Sequence, residues 1–319
     1  MKRILYLTRV DRISLIMEIK KYISDSMKAC EIFVMTDNEF CPSKIYADGF
    51  VLIPRNSSDV NIAEYIKSII SKHSINAIVV QSNYDMAYLL QIENFLKNTG
   101  VVYFAPTIQT FNICAYKSSL YSFLQEKDIL TPAVYNYAEL NNHNFSTPVV
   151  IKPNFGEGSQ NVHIVNDFEE LNFFYKRIES PIIQKYVEGE HYTVDCFNDL
   201  EHRLKVSTPR QRIVVQGSGS SVSRVAYDSK ITQIAISLSA QLKISGVWNF
   251  QLVKSQEGLF VYDVNIKPAG GLIYSILSGI PYHKYIVDTL LRYNINEINY
   301  NHRANENIIS AYRIYSVVN

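Results

Sequence analysis

The stretch from Val149 to Gln160, VVIKPNFGEGSQ, combines a cationic side chain with a glycine-rich loop. Its first three residues are apolar and β-branched, which predicts a buried strand that ends at Lys152. Gly156 and Gly158 lack a Cβ atom, so the backbone leading to Ser159 can approach a ligand closely and present N–H groups to an anion. This chemistry suits a nucleotide polyphosphate. Taken alone, the stretch fits equally well a flexible hairpin loop with an exposed lysine.

The bulk composition argues against several classes of protein. The chain has 319 residues, enough for two or three domains, and its hydrophobic and charged fractions, 47% and 19%, are ordinary for a globular protein. A net charge of +1 gives no general attraction to nucleic acid or membranes. The first apolar run ends at Arg9, too early for a signal peptide, and no run is long enough for a membrane helix. The cysteines form no CxxC pair, which fits a reducing cytoplasm without zinc or disulfides.

Residues 1–106 are predicted to form a Rossmann-like α/β domain. Apolar runs of strand length alternate with helical patterns, which is typical of a parallel sheet covered by helices. The strands are expected at 3–8, 31–35, 50–53, 77–81 and 101–104. The first strand is followed by TRVDRIS, without the glycines that a dinucleotide fingerprint requires, so NAD binding is not expected here.

The remaining chain supplies elements that flank the glycine loop. A helix is predicted over 112–127, and short strands are predicted at 161–165, 181–187 and 192–197. A long strand over 203–215 precedes a glycine–serine segment, 217–223, that is expected to be a mobile connection. Two paired strands, 246–253 and 258–264, precede short helices and a last strand at 309–317.

Five segments in this order resemble the ATP-grasp superfamily, in the branch of carbamoyl-phosphate-synthase-like proteins and carboxylate–amine ligases. They are Lys117, VVIKPNFGEGS, PIIQKYVEGEHYTVD, NFQL and YDVNIKP. The resemblance covers roughly residues 107–290. It implies that the 1–106 domain is a pre-ATP-grasp domain and that a two-lobed α+β ATP-grasp domain follows. The N-terminal lobe, 107–187, would carry the glycine-rich flap, and the C-terminal lobe, 188–319, would carry the metal site and the last strand.

The resemblance also implies how ATP would be held. Two lysines would neutralise the phosphates from opposite sides, and the flap would cover them; these residues are Lys117, Lys152, Gly156, Gly158 and Ser159. The residue before the first lysine is usually acidic in the family and is Tyr116 here. The strand containing Gln184 would run beside adenine, whose edge the backbone of Lys185 and Val187 would read, and Glu190 would bind the ribose hydroxyls.

A metal site is implied at Gln251, Asp263 and Asn265. On paired strands Gln251 can lie opposite Asp263, and residues two apart, such as Asp263 and Asn265, point to the same face. Their oxygen ligands suit Mg²⁺, with Mn²⁺ as an alternative. Most relatives have glutamate where this chain has Asp263. The alternative interpretation of the three residues is the polar face of an exposed hairpin.

The catalytic residues that the resemblance implies are Lys267, Arg210 and Arg212. Many relatives have arginine at the position of Lys267, next to the transferred phosphoryl group; lysine keeps the charge but lacks the planar fork of arginine. Arg210 and Arg212 resemble contacts to a substrate carboxylate or phosphate in related ligases. An exposed basic strand is the alternative explanation for these two arginines.

The expected activity is therefore that of a cytoplasmic ATP- and Mg²⁺-dependent ligase. A carboxylate would attack the γ-phosphate to give an acyl phosphate and ADP, and an amine, or less readily a thiol, would displace phosphate. Its partners would be small-molecule carboxylates and amines, without nucleic acid or membrane, and a homodimer is compatible with the family. Two alternatives remain: a weakened ATP-binding regulatory partner, and phosphoryl transfer to a small acid.

Overall fold

The fold was analysed in a computed structural model, which describes residues 1–9, 13–54, 61–140, 148–156, 158–216, 219–292 and 309–311. These residues form three sheets with helices packed against them. Parts of the predicted strand at 309–317 and of the glycine–serine segment lie outside the described ranges, as does Glu157 of the flap.

The first sheet is parallel and five-stranded, in the order β3-β2-β1-β4-β5. Its strands are β1 (Lys2–Leu7), β2 (Cys30–Thr36), β3 (Gly49–Leu52), β4 (Ala77–Val80) and β5 (Val102–Tyr103). The helices between them are α1 (Ile13–Asp25), α2 (Ile62–Lys72), α3 (Asn83–Gln91) and α4 (Glu93–Thr99). The continuous burial of β4 explains why its sequence, AIVV, is apolar at every position.

A small antiparallel sheet follows, in the order β6-β9-β7-β8. Its strands are β6 (Val134–Tyr135), β7 (Val149–Pro153), β8 (His163–Val165) and β9 (Pro181–Lys185), with α7 (Phe168–Tyr175) packed against them. The predicted helix over 112–127 is in fact two helices, α5 (Ile108–Ala115) and α6 (Lys117–Glu126). The break falls at Tyr116, whose backbone is extended and pairs with Phe155.

The third sheet has six strands in the order β14-β13-β10-β11-β12-β15. They are β10 (Glu190–Asn198), β11 (Leu204–Gln216), β12 (Gly219–Val225), β13 (Gly246–Lys254), β14 (Leu259–Asn265) and β15 (Ile309–Ala311). The helices are α8 (Ser229–Leu242), α9 (Leu272–Leu277) and α10 (Tyr282–Leu291). The expectation of a mobile connection at 217–223 is wrong for 219–223, because these residues pair with β11 as part of β12.

One hydrophobic core joins the first and third sheets. Leu5 and Leu7 of β1 belong to the same buried cluster as Trp248 and Phe250 of β13. At Gly246 the backbone has φ +79° and a Cβ atom would lie 2.2 Å from the ring of Phe104, so this contact requires glycine. No helix among the described residues is long and apolar enough to span a membrane.

Candidate functional site

A cavity of about 520 Å³ lies between the small sheet and the six-stranded sheet. Its size is within the range of small-molecule sites. Thirteen of the fifteen predicted site residues lie on its wall: Lys117, Lys152, Gly156, Gly158, Ser159, Gln184, Val187, Arg210, Arg212, Gln251, Asp263, Asn265 and Lys267. The other two, Lys185 and Glu190, do not line the cavity. Residues far apart in sequence therefore converge on one space.

Lys117 begins α6 and reaches across the cavity to β14. Its Nζ atom donates to Oδ1 of Asp263 at 2.6 Å, and both side chains are largely buried. Burial alone would raise the pKa of the Asp263 carboxyl, but the charges of Lys117 and Lys152 and a hydrogen bond from Asn265 hold that pKa below its usual value. Asp263 is therefore a carboxylate, and it partly neutralises the cationic wall.

Lys152 lies at the end of β7 and is buried. Its Nζ atom donates to Oη of Tyr121 at 2.7 Å, and the Tyr121 hydroxyl also contacts Oε1 of Gln184 and the carbonyl of Tyr262. Burial, and secondarily repulsion from Lys117, lower the pKa of Lys152 to about 7. A phosphate group would supply the counter-charge that favours the protonated form, so Lys152 is a candidate anion-binding residue.

The base of the flap is anchored by aromatic contacts. Phe155 packs against Tyr116 with ring centroids 5.4 Å apart, and against Tyr84 of α3 at 5.8 Å. The N–H of Lys117 also donates to the carbonyl of Asn154 at 2.9 Å. Tyr116, which replaces the usual acidic residue of the family, thus has a structural partner, and it connects the first lysine to the flap.

The candidate metal ligands are brought together as predicted. Gln251 of β13 lies opposite Asp263 of β14, and Asn249 lies opposite Asn265. Asn265 Nδ2 donates to Asp263 Oδ2 at 2.9 Å, so its Oδ1 remains an acceptor. Asn249 was not predicted, although its position two residues before Gln251 places it on the same face.

This donor set fits Mg²⁺ only in part. Its carboxylate and amide oxygens are hard ligands of the right kind. However, the described residues contain no cluster of three or more His, Cys, Asp or Glu side chains that could hold a metal alone. A nucleotide's phosphate oxygens and water would have to complete the coordination, as is usual for Mg²⁺.

Apolar side chains from the segment after β9, the hinge, and from its neighbours also line the cavity. They belong to Pro132, Val150, Ile164, Tyr186, Val187 and Val253. The N–H of Lys185 donates to the carbonyl of Ala133 at 2.8 Å, and its side chain pairs with Glu257. Of the backbone groups of Lys185, only the carbonyl can therefore meet a ligand, and the N–H of Val187 is the candidate donor.

The prediction for Glu190 is not supported by the geometry. Its side chain is exposed outside the cavity, where it accepts hydrogen bonds from Tyr192 at 3.0 Å and Gln211 at 3.0 Å. Residues alternate between the two faces of β10, so the neighbouring His191 faces the cavity instead. Burial and the charge of Arg212 lower the pKa of His191, which favours a neutral imidazole.

Arg210 is buried rather than part of an exposed basic strand. Its Nε donates to Asp195 Oδ2 at 2.6 Å and its Nη2 to Asp195 Oδ1 at 3.3 Å. Nη1 donates to Ser223 at 3.3 Å. Asp195 also accepts from Ser275 at 2.6 Å. The guanidinium is therefore fixed in place at the end of the cavity beside Gly271.

Arg212 and Lys267 complete the cationic wall. Arg212 is half-buried and its Nη2 donates to the carbonyl of Gly219 at 3.3 Å. Lys267 is buried, and its carbonyl accepts from Asn249 Nδ2 at 2.9 Å, which fixes the backbone before Pro268. Both side chains face the cavity.

A cleft between two sheets, lined by three lysines and by apolar side chains, is the kind of site that suits a nucleotide. The sequence profile of the ATP-grasp domain family matches residues 114–271. This match identifies residues 114–271 as an ATP-grasp domain.

The chain is also similar to curated proteins and to solved structures. It is 25% identical over 258 residues to the carbamoyl phosphate synthase large chain of Clostridium botulinum, an alignment that covers 74% of this chain. The alignment covers only 24% of that relative, so the chain spans about a quarter of its length.

Two solved structures show the shared fold. The biotin carboxylase domain of Hydrogenobacter thermophilus 2-oxoglutarate carboxylase, a dimer in complex with MgADP and bicarbonate, superposes with a TM-score of 0.74 at 12% identity, covering 91% of this chain and 69% of that one. An L-amino acid ligase from Bacillus licheniformis gives 0.74 at 12% identity, covering 95% and 78%.

Proposed function

We propose that this protein is an ATP- and Mg²⁺-dependent ligase that activates a carboxylate and joins it to an amine, with release of ADP and phosphate. The observation that carries the proposal is the placement of Lys117, Lys152 and Lys267 around one cavity that also contains Asp263. Three cations and one carboxylate suit a metal-bound polyphosphate. The relationship to ATP-grasp ligases supports the same reaction class.

We assign the parts of the nucleotide along the cavity. Adenine lies at the apolar hinge, between the carbonyl of Lys185 and the N–H of Val187. His191 takes the ribose contact that was expected of Glu190. Lys117 and Lys152 hold the phosphates, which the flap residues Gly156, Gly158 and Ser159 cover. The γ-phosphoryl group then lies near Lys267 and Arg212.

Gln251, Asp263 and Asn265 would hold Mg²⁺ or Mn²⁺, which supplies charge neutralisation at the phosphates when bound. The chain's own residues orient the reactants. In the first step a carboxylate oxygen forms a bond to the γ-phosphorus while the bond to the β-phosphate oxygen breaks, and ADP leaves with the electron pair. Lys267 and Arg212 stabilise the developing charge, and Arg210 positions the acid.

In the second step the amine attacks the acyl carbon of the acyl phosphate and phosphate departs, while the amine loses a proton. A thiol nucleophile would follow the same course. Neither step requires a covalent bond between the substrate and a side chain of the enzyme. We propose that this ligase has three structural units. They are a Rossmann-like pre-ATP-grasp domain, 1–106, and the two lobes of the ATP-grasp domain, 107–187 and 188–319.

The proposal is tested by a panel of carboxylates and amines with ATP and Mg²⁺. Formation of ADP and phosphate that depends on both an acid and an amine supports it. Formation of AMP and diphosphate would rule out the acyl phosphate. Omitting the amine separates ligation from the third candidate, phosphoryl transfer to a small acid, which would form ADP without an amine.

A nucleotide-binding partner without catalytic activity is the second candidate. It is favoured by the single carboxylate, Asp263, in the candidate metal site and by lysine at position 267. Nucleotide binding with no turnover across the whole panel would support this alternative.

A further inference from the structure

The charges around the cavity restrict the kind of acid that it can hold. The cationic side chains on the wall belong to Lys117, Lys152, Lys267, Arg210 and Arg212. Among the described lining residues Asp263 is the one carboxylate, and Lys117 already pairs with it at 2.6 Å. The described wall therefore offers several cationic side chains to an anionic ligand. It offers no carboxylate to a cationic ligand other than Asp263, which already pairs with Lys117.

Arg210 offers a defined place for a carboxylate. A guanidinium has five N–H groups, and three of them are used by Asp195 and Ser223. One N–H on each terminal nitrogen is left, so both terminal nitrogens can still donate to a carboxylate. Gly271 lies against this edge: a Cβ atom there would be 2.9 Å from Nη1 and 3.1 Å from Nη2.

Among the described residues around the Arg210 fork, an ammonium group has no acidic partner that is not already paired with a cationic side chain. The closest acidic residue to the Arg210 fork is Asp195, which is fully buried and does not line the cavity. Both of its carboxylate oxygens are occupied, Oδ1 by Arg210 and Oδ2 by Arg210 and Ser275. An α-ammonium would thus lose its hydration beside cationic side chains without gaining a counter-ion.

We infer that the acid activated in this cavity is a small carboxylate without an ammonium group, a class that includes hydrogencarbonate, hydroxy acids and oxo acids. The inference rests on the proposed function and adds its substrate class. The site would then differ in specificity from an amino acid ligase, although the two share a fold.

The test compares matched acids that differ by an ammonium group. Binding of acetate and glycine, lactate and alanine, malate and aspartate, and hydrogencarbonate is measured by calorimetry with the full chain, Mg²⁺ and a non-hydrolysable ATP analogue. We expect at least one ammonium-free acid to bind, and its amino partner to bind about tenfold more weakly or not at all. Equal or tighter binding of the amino acids, or no binding of any acid, would overturn the inference.

Two variants locate the site. Arg210→Lys removes the fork and should weaken binding of the acid about tenfold. Because Arg210 is buried with Asp195, Gly271→Ala provides a milder variant, which crowds the same edge and should weaken acid binding more than nucleotide binding. Nucleotide affinity, measured in the same samples, distinguishes a failure of the proposed function from a failure of the proposed substrate class. If the wild type does not bind the nucleotide, the proposed function is contradicted. If it binds the nucleotide but prefers amino acids, only the substrate class is contradicted.

Discussion

Lys117 Nζ donates to Asp263 Oδ1 at 2.6 Å, so the first lysine of the phosphate site and the carboxylate of the candidate metal site neutralise each other. A metal ion at Asp263 would have to share this carboxylate with Lys117. In the proposed site, the pair would therefore link nucleotide binding to metal binding.

The substitution Asp263→Asn tests the two proposed roles of this carboxylate, which are to neutralise Lys117 and to bind the metal ion. The substitution removes the carboxylate ligand and releases the charge of Lys117, so ADP should bind more tightly without metal, by at least ~1 kcal/mol. The gain in affinity on adding Mg²⁺ should largely disappear. Calorimetry with and without Mg²⁺ measures both effects. Glu257→Gln, which removes an exposed carboxylate from the same hairpin, is the control. An undiminished Mg²⁺ effect in Asp263→Asn would exclude Asp263 as a ligand.

Nucleotide binding should depend on pH through Lys152. Its pKa of about 7 lies well below that of an exposed lysine, and bound phosphate favours the protonated form. The complex therefore takes up a proton above pH 7, and affinity for ADP falls as pH rises. Calorimetry at pH ~8 in buffers of different ionisation enthalpy measures the uptake. Lys152→Arg, which stays charged, should abolish this uptake. Equal proton uptake by both proteins would assign it to another group.

Tyr121→Phe tests the support of Lys152. The hydroxyl is buried and contacts Lys152, Gln184 and the carbonyl of Tyr262. Its removal takes one hydrogen-bond partner from each of these groups, so the free energy of unfolding should fall by about 1–3 kcal/mol. Urea denaturation measures the change. Tyr65→Phe, which removes an exposed hydroxyl bonded to the carbonyl of Leu52 at 3.3 Å, should have little effect. If the free energy of unfolding falls equally in both variants, the buried contacts of the Tyr121 hydroxyl do not contribute more than an exposed hydrogen bond.

The flap should be coupled to the N-terminal sheet through Phe155 and Tyr84. Aromatic pairs of this kind contribute about 0.5–1.5 kcal/mol beyond burial. A double-mutant cycle with Phe155→Ala and Tyr84→Ala should give a coupling energy in that range in the affinity for ADP. Additive effects of the two substitutions would show that the contact does not bear on the nucleotide site.

Some of the site could be predicted because local pattern determines it. Lys152 ends a β-branched strand, and the two-residue spacing of Asp263 and Asn265 places them on one face, as the register with β13 confirms. Glu190 was predicted to bind the ribose hydroxyls, but it is the neighbouring His191 that lines the cavity, because one residue of register reverses the face of a strand.

Contacts between distant segments could not be derived from pattern. The pairing of Arg210 with Asp195 depends on β10 and β11 lying side by side. Tyr121 contacts Lys152 only because the tertiary structure brings α6 next to the end of β7. Nothing in the local sequence around Arg210 or Tyr121 indicates these partners, because they lie on other elements that only the tertiary structure brings close.

The central claim, that the cavity holds a nucleotide through Lys152, is tested most directly by calorimetric titration of Mg²⁺-ADP into three proteins. Lys185→Ala removes an exposed lysine of the neighbouring strand that pairs with Glu257 and does not line the cavity. We predict that the wild type and Lys185→Ala bind with similar affinity, whereas Lys152→Ala shows no measurable binding. Unchanged affinity in Lys152→Ala would contradict the assignment of this cavity as the ATP site.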